Sequence, residues 1–444
     1  MSQDVVKRAA EDGVKFVCLQ FTDVTGVVKS VDIPVQRLPT AFDDGIWFDG
    51  SSVEGFSRIQ ESDMRLVLDA STYAVLPWSH PDRRRARLLC DIYRPDGEPF
   101  AGDPRRVLRR ALDRLTERGW KFNVGPEPEF FLLKRNGPEA VHPVPHDVGG
   151  YFDFSASDEA QRVRTELMLA LGGMGLEVEM GHHEVALGQH EIDFRFDDAL
   201  RTADNVITLK YTVKALAAQH GLVATFMPKP IFGINGSGMH THQSIFDNKG
   251  RNLFFDASDE HRLSSIAYGF IAGQIEHARA LAAIVAPTVN SYKRIVPGYE
   301  APVYVCWAQI NRSAMIRIPA PGEGEEHATR VELRFPDPSC NPYLAFAAML
   351  TAGLDGIDRK LPCPPPVNNL NIYHMTAEEL SEKGISQLPG SLDEALDTLA
   401  NDTPLIKALG PEIFEAFVRA KRAEWDEYRI RVMDWEVERY LETA

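Results

Sequence analysis

From Lys121 to Leu133 the chain reads KFNVGPEPEFFLL, an alternation of period two. Successive side chains on a strand point to opposite faces. Phe122, Val124, Phe130 and Leu132 therefore share one face, suited to packing under a helix. Glu127 and Glu129 share the other, roughly 7 Å apart at most. Two carboxylates held that close repel each other unless a cation, an arginine or a shared proton compensates. Standing alone, the stretch also fits a solvated strand edge. The rest of the chain has to decide between the two.

With 444 residues the chain is long enough for two or three domains at about 150 residues each. Its 44% hydrophobic and 25% charged residues are those of an ordinary globular protein. A net charge of −16 offers no positive field to a phosphate polymer or an anionic membrane, so a phosphate ligand needs a local basic pocket. Five widely spaced cysteines with no C-x-x-C pair favour a reducing compartment, without disulfides or zinc. The start, MSQDVVKRAAEDG, is too charged for a signal peptide, and no apolar run reaches the ~18 residues of a membrane span. The expectation is a cytoplasmic enzyme.

Residues 14–33 predict two strands joined by a turn at Asp23 to Gly26, with a further strand at 86–93. Asp103 and Pro104 then supply an N-cap and first-turn proline, Gly119 a stop, and Val107, Leu108, Ala111, Leu112 and Leu115 a helical stripe between them. A boundary near 102 thus separates a small β-rich domain, 1–102, from a larger one, 103–444. Helices are expected near 158–174, 202–220, 260–285, 341–357 and 411–440. Strands are expected near 121–133, 176–184, 190–196, 223–227, 239–246 and 329–335. Strands without strict βαβ alternation predict an α+β fold with antiparallel pairing.

A second acidic cluster lies in MGHHEVALGQHEIDF, where turn-prone Gly188 separates Glu184 from Glu191 and a hairpin would bring both to one mouth. His183-Glu184 does not open a zinc-protease H-E-x-x-H, because Leu187 stands at the second histidine position. In NGSGMHTHQSIF, His240, His242 and Ser244 share a face, and Gly236 and Gly238 permit close approach by a ligand. Neither a P-loop nor a Rossmann fingerprint is present. Glu332 and Arg334 share a face of VELRF, and Arg294, Arg312 and Arg317 add permanent cations. Each arginine is also compatible with a structural salt bridge. Arg317, between Ile316 and Ile318, needs an anion or a partner to offset its burial. Five glutamates and one histidine suffice for two divalent ions, and oxygen-rich ligation favours Mg²⁺ or Mn²⁺ over zinc. Such ions, with arginines, suit phosphoryl transfer, and metal between the strands explains why Glu127 and Glu129 tolerate one another.

FDGSSVEGF (48–56), GPEPEFF (125–131), HHEVALGQHEID (182–193), FMPKP (226–230), NGSGMHTH (235–242), NSYKRIVPGYEAP (290–302) and NRSAMIRIP (311–319) together resemble the bacterial-type glutamine synthetase family. The motifs follow the family order along nearly the whole chain. The length resembles the short, feedback-inhibited bacterial and archaeal subclass. The resemblance implies a β-grasp-like N-terminal domain and a larger catalytic domain with an antiparallel sheet, as in glutamine synthetases and guanido kinases. It implies sites between subunits of a homododecamer built from two stacked hexameric rings. The implied reaction joins ammonium to L-glutamate at the expense of ATP, through a γ-glutamyl phosphate. By motif, Glu129, Glu184 and Glu191 would hold one Mg²⁺ or Mn²⁺, and Glu127, His240 and Glu332 a second. Tyr151, Asn235, Gly236, Arg294, Arg312 and Arg334 would bind substrate, with Glu300 on a closing flap. Glu179, Phe196, His242, Ser244, Arg312 and Arg330 would serve ATP, and Arg317 the transferred phosphoryl group. Asp49, with Ser52, would serve ammonium at a neighbouring subunit's site.

Three details bear on regulation and contact. Tyr373 stands where the longer subclass is adenylylated, but NIYHMTAEE lacks the surrounding motif, so no adenylylation is expected. Arg58 lies where the short subclass senses glutamine, although a surface ion pair with Glu61 or Asp63 also accounts for it. His327 replaces a lysine common in relatives near the nucleotide. A related γ-glutamyl ligase using a polyamine or another amine, and a catalytically silent nitrogen-sensing or structural relative, are the rival readings. The first would change the ammonium pocket and the second would lose metal ligands, and neither change is seen in the sequence.

Overall fold

The period-two stretch is a strand, Trp120–Lys134, at the middle of a ten-stranded sheet in the computed structural model. The structure describes residues 1–51, 53, 63–135, 137, 143–154, 159–311, 313–322, 324–368 and 372–444. Phe122, Val124, Phe130 and Leu132 are buried, as the alternation predicts, in a core shared with the helices Pro104–Thr116 and Ala199–Gln219. On one side the strand pairs antiparallel with Met239–Asp247, which sets His240 opposite Glu127. On the other it pairs with Gln189–Phe194 from Glu129 onward, and with Asp197–Asp198 at Val124 and Asn123. Between those two contacts, Gly125–Pro128 has a sheet partner on one side only. The amide of Glu129 donates to Gly238 and that of Leu132 to Gly188, so even-numbered residues face the open side. Pro126 and Pro128, which have no N–H to lose, sit at those even positions.

The sheet continues through Val331–Leu333, Ala314–Arg317, Tyr304–Ala308 and Ser386–Gln387, and on the other flank ends at Val178–His183. Among the described residues of this sheet, only the Tyr304–Ala308 and Ala314–Arg317 pair is parallel. Neither of those two strands is predicted by the sequence, because each is a short apolar run without alternation. A second, six-stranded sheet is built from Phe16–Thr22, Val28–Pro34, Ile46–Asp49, Asp63–Leu68, Ala74–Val75 and Arg85–Tyr93. It has its own core around Val17, Leu19, Leu66 and Leu88. The architecture is α+β, with antiparallel pairing dominant in both sheets. Among the described residues no helix is long and apolar enough to cross a membrane.

The two sheets are tied by charge. Asp103 caps Pro104–Thr116 and also accepts from the Ile92 amide at 3.1 Å. Arg105, 3% exposed, reaches Asp69 and Asp91 of the small unit at 2.7 Å each and Asp204 of the large one at 2.8 Å. Among the helices, Ser265–Glu276 crosses Pro342–Arg359 so closely that a Cβ on Gly273 would lie 2.0 Å from the Ala352 carbonyl oxygen.

The helix expected over 260–285 is two, Ser265–Glu276 and Ala278–Val285, broken at His277. The His277 ring bridges Asp402 (2.6 Å) and Asp355 (2.9 Å), and Arg359 also holds Asp355 at 2.8 Å. Burial opposes a charge on His277, but the hydrogen bonds to both aspartates outweigh it and raise its pKa above the ordinary histidine value. The contribution to stability is thus full below about pH 6.5, the unfolded value, and is lost as pH rises through the raised folded value. His277→Gln should cost about 3 kcal/mol at pH 6 and clearly less at pH 9. Urea unfolding at both pH values checks this, and an equal cost at both would refute the charged bridge. The expected 411–440 helix likewise ends at Arg429, and a separate turn of helix, Asp434–Tyr440, follows.

Candidate active site

Two adjoining cavities open along the bare side of Gly125–Pro128. The smaller, about 240 Å³, is lined by Glu179, Phe196, His242, Ser244, His327 and Arg330 among others. The larger, about 490 Å³, is lined by Glu129, Tyr151, Glu184, Glu191, Asn235, Gly236, His240, Arg294, Glu300, Arg317, Glu332 and Arg334. Glu127 lines both. The carboxylate that posed the question of charge compensation therefore stands at the wall between them, together with Met180 and Asp193.

The two glutamates meet their repulsion differently. Glu127 stands 2.8 Å from His242 Nε2 and 3.4 Å from His240 Nδ1. Burial would raise its pKa, but these two imidazoles hold it well below the usual carboxylate range. Arg330 donates to His242 Nδ1 at 3.1 Å and so fixes that ring. Glu332, 1% exposed, is held by Arg317 and by Arg334 at 3.1 Å. Arg317 thus has the partner that its apolar flanks demanded. Ligand atoms of Glu127, His240 and Glu332 lie within 4.8 Å of one another.

Glu129 lacks such help. It accepts from Gln189 Nε2 at 2.7 Å and the Gly238 amide at 3.0 Å. Burial, and then the charges of Glu191 and Glu184, push its pKa well above the usual value, against the pull of Arg294. Gly188, with φ 71°, turns the hairpin that brings Glu191 directly opposite Glu129 and leaves Glu184 at the same mouth. Glu191 is raised by burial and by Asp193, and Glu184 by burial. His182 is the nearby imidazole, 3.3 Å from Glu191 and 3.6 Å from Glu184. Asp193 Oδ1 is buried without a hydrogen-bond partner. Four acidic side chains, one orphaned oxygen and too little positive charge fit a hard divalent cation with oxygen ligands, Mg²⁺ or Mn²⁺.

Arg294, 3% exposed, is fixed by the carbonyl oxygens of Phe335 (3.0 Å) and Arg334 (3.2 Å). A Cβ on Gly238 would lie 2.4 Å from Arg294 Nη2, and one on Gly236 2.2 Å from the Pro228 oxygen. The close approach that these glycines permit is therefore to the protein's own arginine and backbone, where the sequence suggested a ligand. Asn235 donates to Glu300 at 3.1 Å. Asp49 ends the Ile46–Asp49 strand, exposed and lining neither cavity, with its carboxylate accepting from the Ser51 amide at 2.8 Å. Ser52, Arg58 and Arg312 lie outside the described residues. Sequence reasoning missed His182, Gln189 and Asp193. Period two from Glu191 would have found Asp193, whereas His182 shows only through its pairing with Glu191 across the hairpin.

Residues 13–95 match the family model described as the glutamine synthetase β-grasp domain, and residues 101–440 the glutamine synthetase catalytic domain. The chain belongs to the glutamine synthetase family. Glutamine synthetase of Thermus thermophilus is 52% identical, the match covering 99% of this chain and 98% of the relative. That of Methanosarcina mazei is 51% identical over 99% and 97%. Among solved structures, a GmaS/ADP complex superposes with a TM-score of 0.90 at 34% identity, covering 100% of both chains. Plasmodium falciparum glutamine synthetase superposes with a TM-score of 0.88 at 25% identity, covering 99% of this chain and 98% of that one.

Proposed function

We infer that this family member joins ammonia to L-glutamate with ATP, giving L-glutamine, ADP and phosphate. The observation that carries the reading is the acidic wall of Glu127 between two cavities, set in a family whose bacterial and archaeal members named glutamine synthetase match along the whole chain. The GmaS structure contains ADP, which supports a nucleotide here in the smaller cavity, against Glu179, Phe196, His242, Ser244 and Arg330, with Arg312 contributing. Glutamate takes the larger cavity, held by Tyr151, Asn235, Gly236, Arg294 and Arg334.

Glu129, Glu184 and Glu191 would hold one divalent ion, and Glu127, His240 and Glu332 the other, and ions so held would supply positive charge to offset phosphate oxygens. A side-chain carboxylate is a poor acyl donor, so its oxygen first attacks the γ-phosphorus and ADP leaves. Arg317 offsets charge on the phosphoryl group in flight. Ammonium loses a proton to Asp49, a step in which Ser52 of the same motif is also implicated by the family resemblance, and the free amine displaces phosphate from the acyl carbon. Glu300 covers the pocket during this step. Asp49 is exposed and lines neither cavity of its own chain, which is compatible with its serving the site of an adjacent copy, as the family resemblance implies for an assembly of two stacked hexameric rings. Residues 1–102 and 103–444 form the two domains, and the compartment is the cytoplasm.

The length supports the short, feedback-inhibited subclass, with Arg58 sensing glutamine. Arg58→Ala should shift the glutamine inhibition curve to higher concentration, and an unchanged curve would remove Arg58 from that role. Tyr373, half-buried and donating to the Ala301 oxygen at 3.1 Å, should carry no nucleotidyl group in cells given excess nitrogen. Intact mass would reveal one. The activity itself is tested by phosphate release with ATP, Mg²⁺ and glutamate, comparing ammonium with putrescine, ethanolamine and no amine. Ammonium-dependent release with glutamine as product is expected. Release only with another amine would move the chain to a different ligase, and no release at all would make it a non-catalytic relative.

A further inference from the structure

One loop of the larger cavity carries a buried cation that none of these roles uses. Lys229, 8% exposed, has its backbone clamped to Asn290: its amide donates to Asn290 Oδ1 at 2.7 Å, and its oxygen accepts from Asn290 Nδ2 at 3.0 Å. Its ammonium donates to the Ile234 carbonyl and stands 3.7 Å from the centroid of the Tyr299 ring. The next residue, Glu300, takes the hydrogen bond from Asn235 at 3.1 Å. The loop 229–235 therefore grips two consecutive residues, one from each of its ends.

The gripped segment is under backbone strain. Glu300 has φ 56°, a left-handed conformation that a non-glycine residue adopts at a cost. A strained segment keeps its place only where contacts hold it. An ammonium centred on a tyrosine face, out of bulk water, is such a contact, because the ring quadrupole attracts the cation without a counter-ion.

We propose that Lys229 is a positioning residue whose cation–π contact with Tyr299, beside the Asn235–Glu300 hydrogen bond, latches the 296–300 segment over the glutamate pocket and keeps water from the acyl phosphate. The proposal rests on the reaction described above. In the latched state the amine nitrogen forms the new bond to the acyl carbon, and phosphate leaves with the electron pair of the broken C–O bond. With the latch open, a water oxygen attacks the same carbon. Glutamate and phosphate are regenerated, a proton goes to solvent, and ATP is spent without glutamine.

The test compares the full-length wild type with Lys229→Met, Lys229→Arg and Tyr299→Leu, counting phosphate released per glutamine formed. Tyr299 is only half-buried, so its variant guards against a folding failure at Lys229. The wild type and Lys229→Arg should keep phosphate and glutamine in step. Lys229→Met and Tyr299→Leu should raise the ratio at least about twofold, the least that an accessible cation–π contact would give. They should also raise the glutamate KM more than they lower kcat. An unchanged ratio in both variants, even with slower turnover, overturns the latch while the activity stands. No glutamine from the wild type overturns the activity reading, and the latch with it.

Discussion

Replacing Glu129 with glutamine is expected to lower turnover about a thousandfold or more, while leaving the metal-free chain at least as stable as the wild type. The two effects come from the same geometry. Glu129 is buried beside Glu191 and Glu184, and burial first and then those two charges drive its pKa up, against the pull of Arg294. A neutral amide of the same shape still accepts from Gln189 and the Gly238 amide, and it removes one repelling charge. Without metal the substitution therefore relieves the fold. With metal it takes away a ligand. The wild type should gain thermal stability on addition of Mg²⁺, about 2.7 kcal/mol at one hundred times the dissociation constant, and Glu129→Gln should gain less at the same concentration. Thermal unfolding in chelator and in Mg²⁺ measures both. An equal Mg²⁺ shift in the two proteins would exclude Glu129 as a ligand.

Arg105→Met should be the most damaging single change away from the cavities, costing about 3–5 kcal/mol. The guanidinium fills the space between Asp69, Asp91 and Asp204, and the Tyr343 hydroxyl also donates to Asp204 at 2.7 Å. Methionine matches its length but takes the cation from Asp204, buried in this seam, and leaves Asp69 and Asp91 to Arg109 alone, which bridges them at 3.2 Å each, so the uncompensated charge at Asp204 makes the loss costly. Arg105→Lys should recover less than half of the loss, since a single ammonium cannot reach three carboxylates with the spread of a guanidinium fork. Urea unfolding of the three proteins decides it. A loss below 1 kcal/mol for methionine would mean that solvent enters the seam.

The sequence made the site far more legible than the joints. Period two put Glu127 and Glu129 on one face, and the observed strand keeps them there, because a slip of one residue would bury both under the helices. Gly188 announced the hairpin through its turn chemistry. Arg105, by contrast, is one of a pair of arginines at the start of an amphipathic helix, and nothing local distinguishes it from its half-buried neighbour Arg106. Its partners are 14, 36 and 99 residues away. The break at His277 was hidden for the same reason: the apolar run continues through it, and the cause is a pair of aspartates 78 and 125 residues further on. Asp49 is a different case. The motif around it suggested a role at the site, but its place is not within its own chain's cavities.

The two prolines flanking Glu127 have a meaning beyond the reaction. An unpaired strand edge normally invites a foreign strand to zip onto it, and a catalytic mouth cannot be covered by a protective helix without being closed. Here the open side of Gly125–Pro128 offers carbonyl oxygens but, at Pro126 and Pro128, no amide hydrogens. An incoming strand would find acceptors and no donors. The enzyme can keep its sheet split open for substrate while denying the same gap to aggregation.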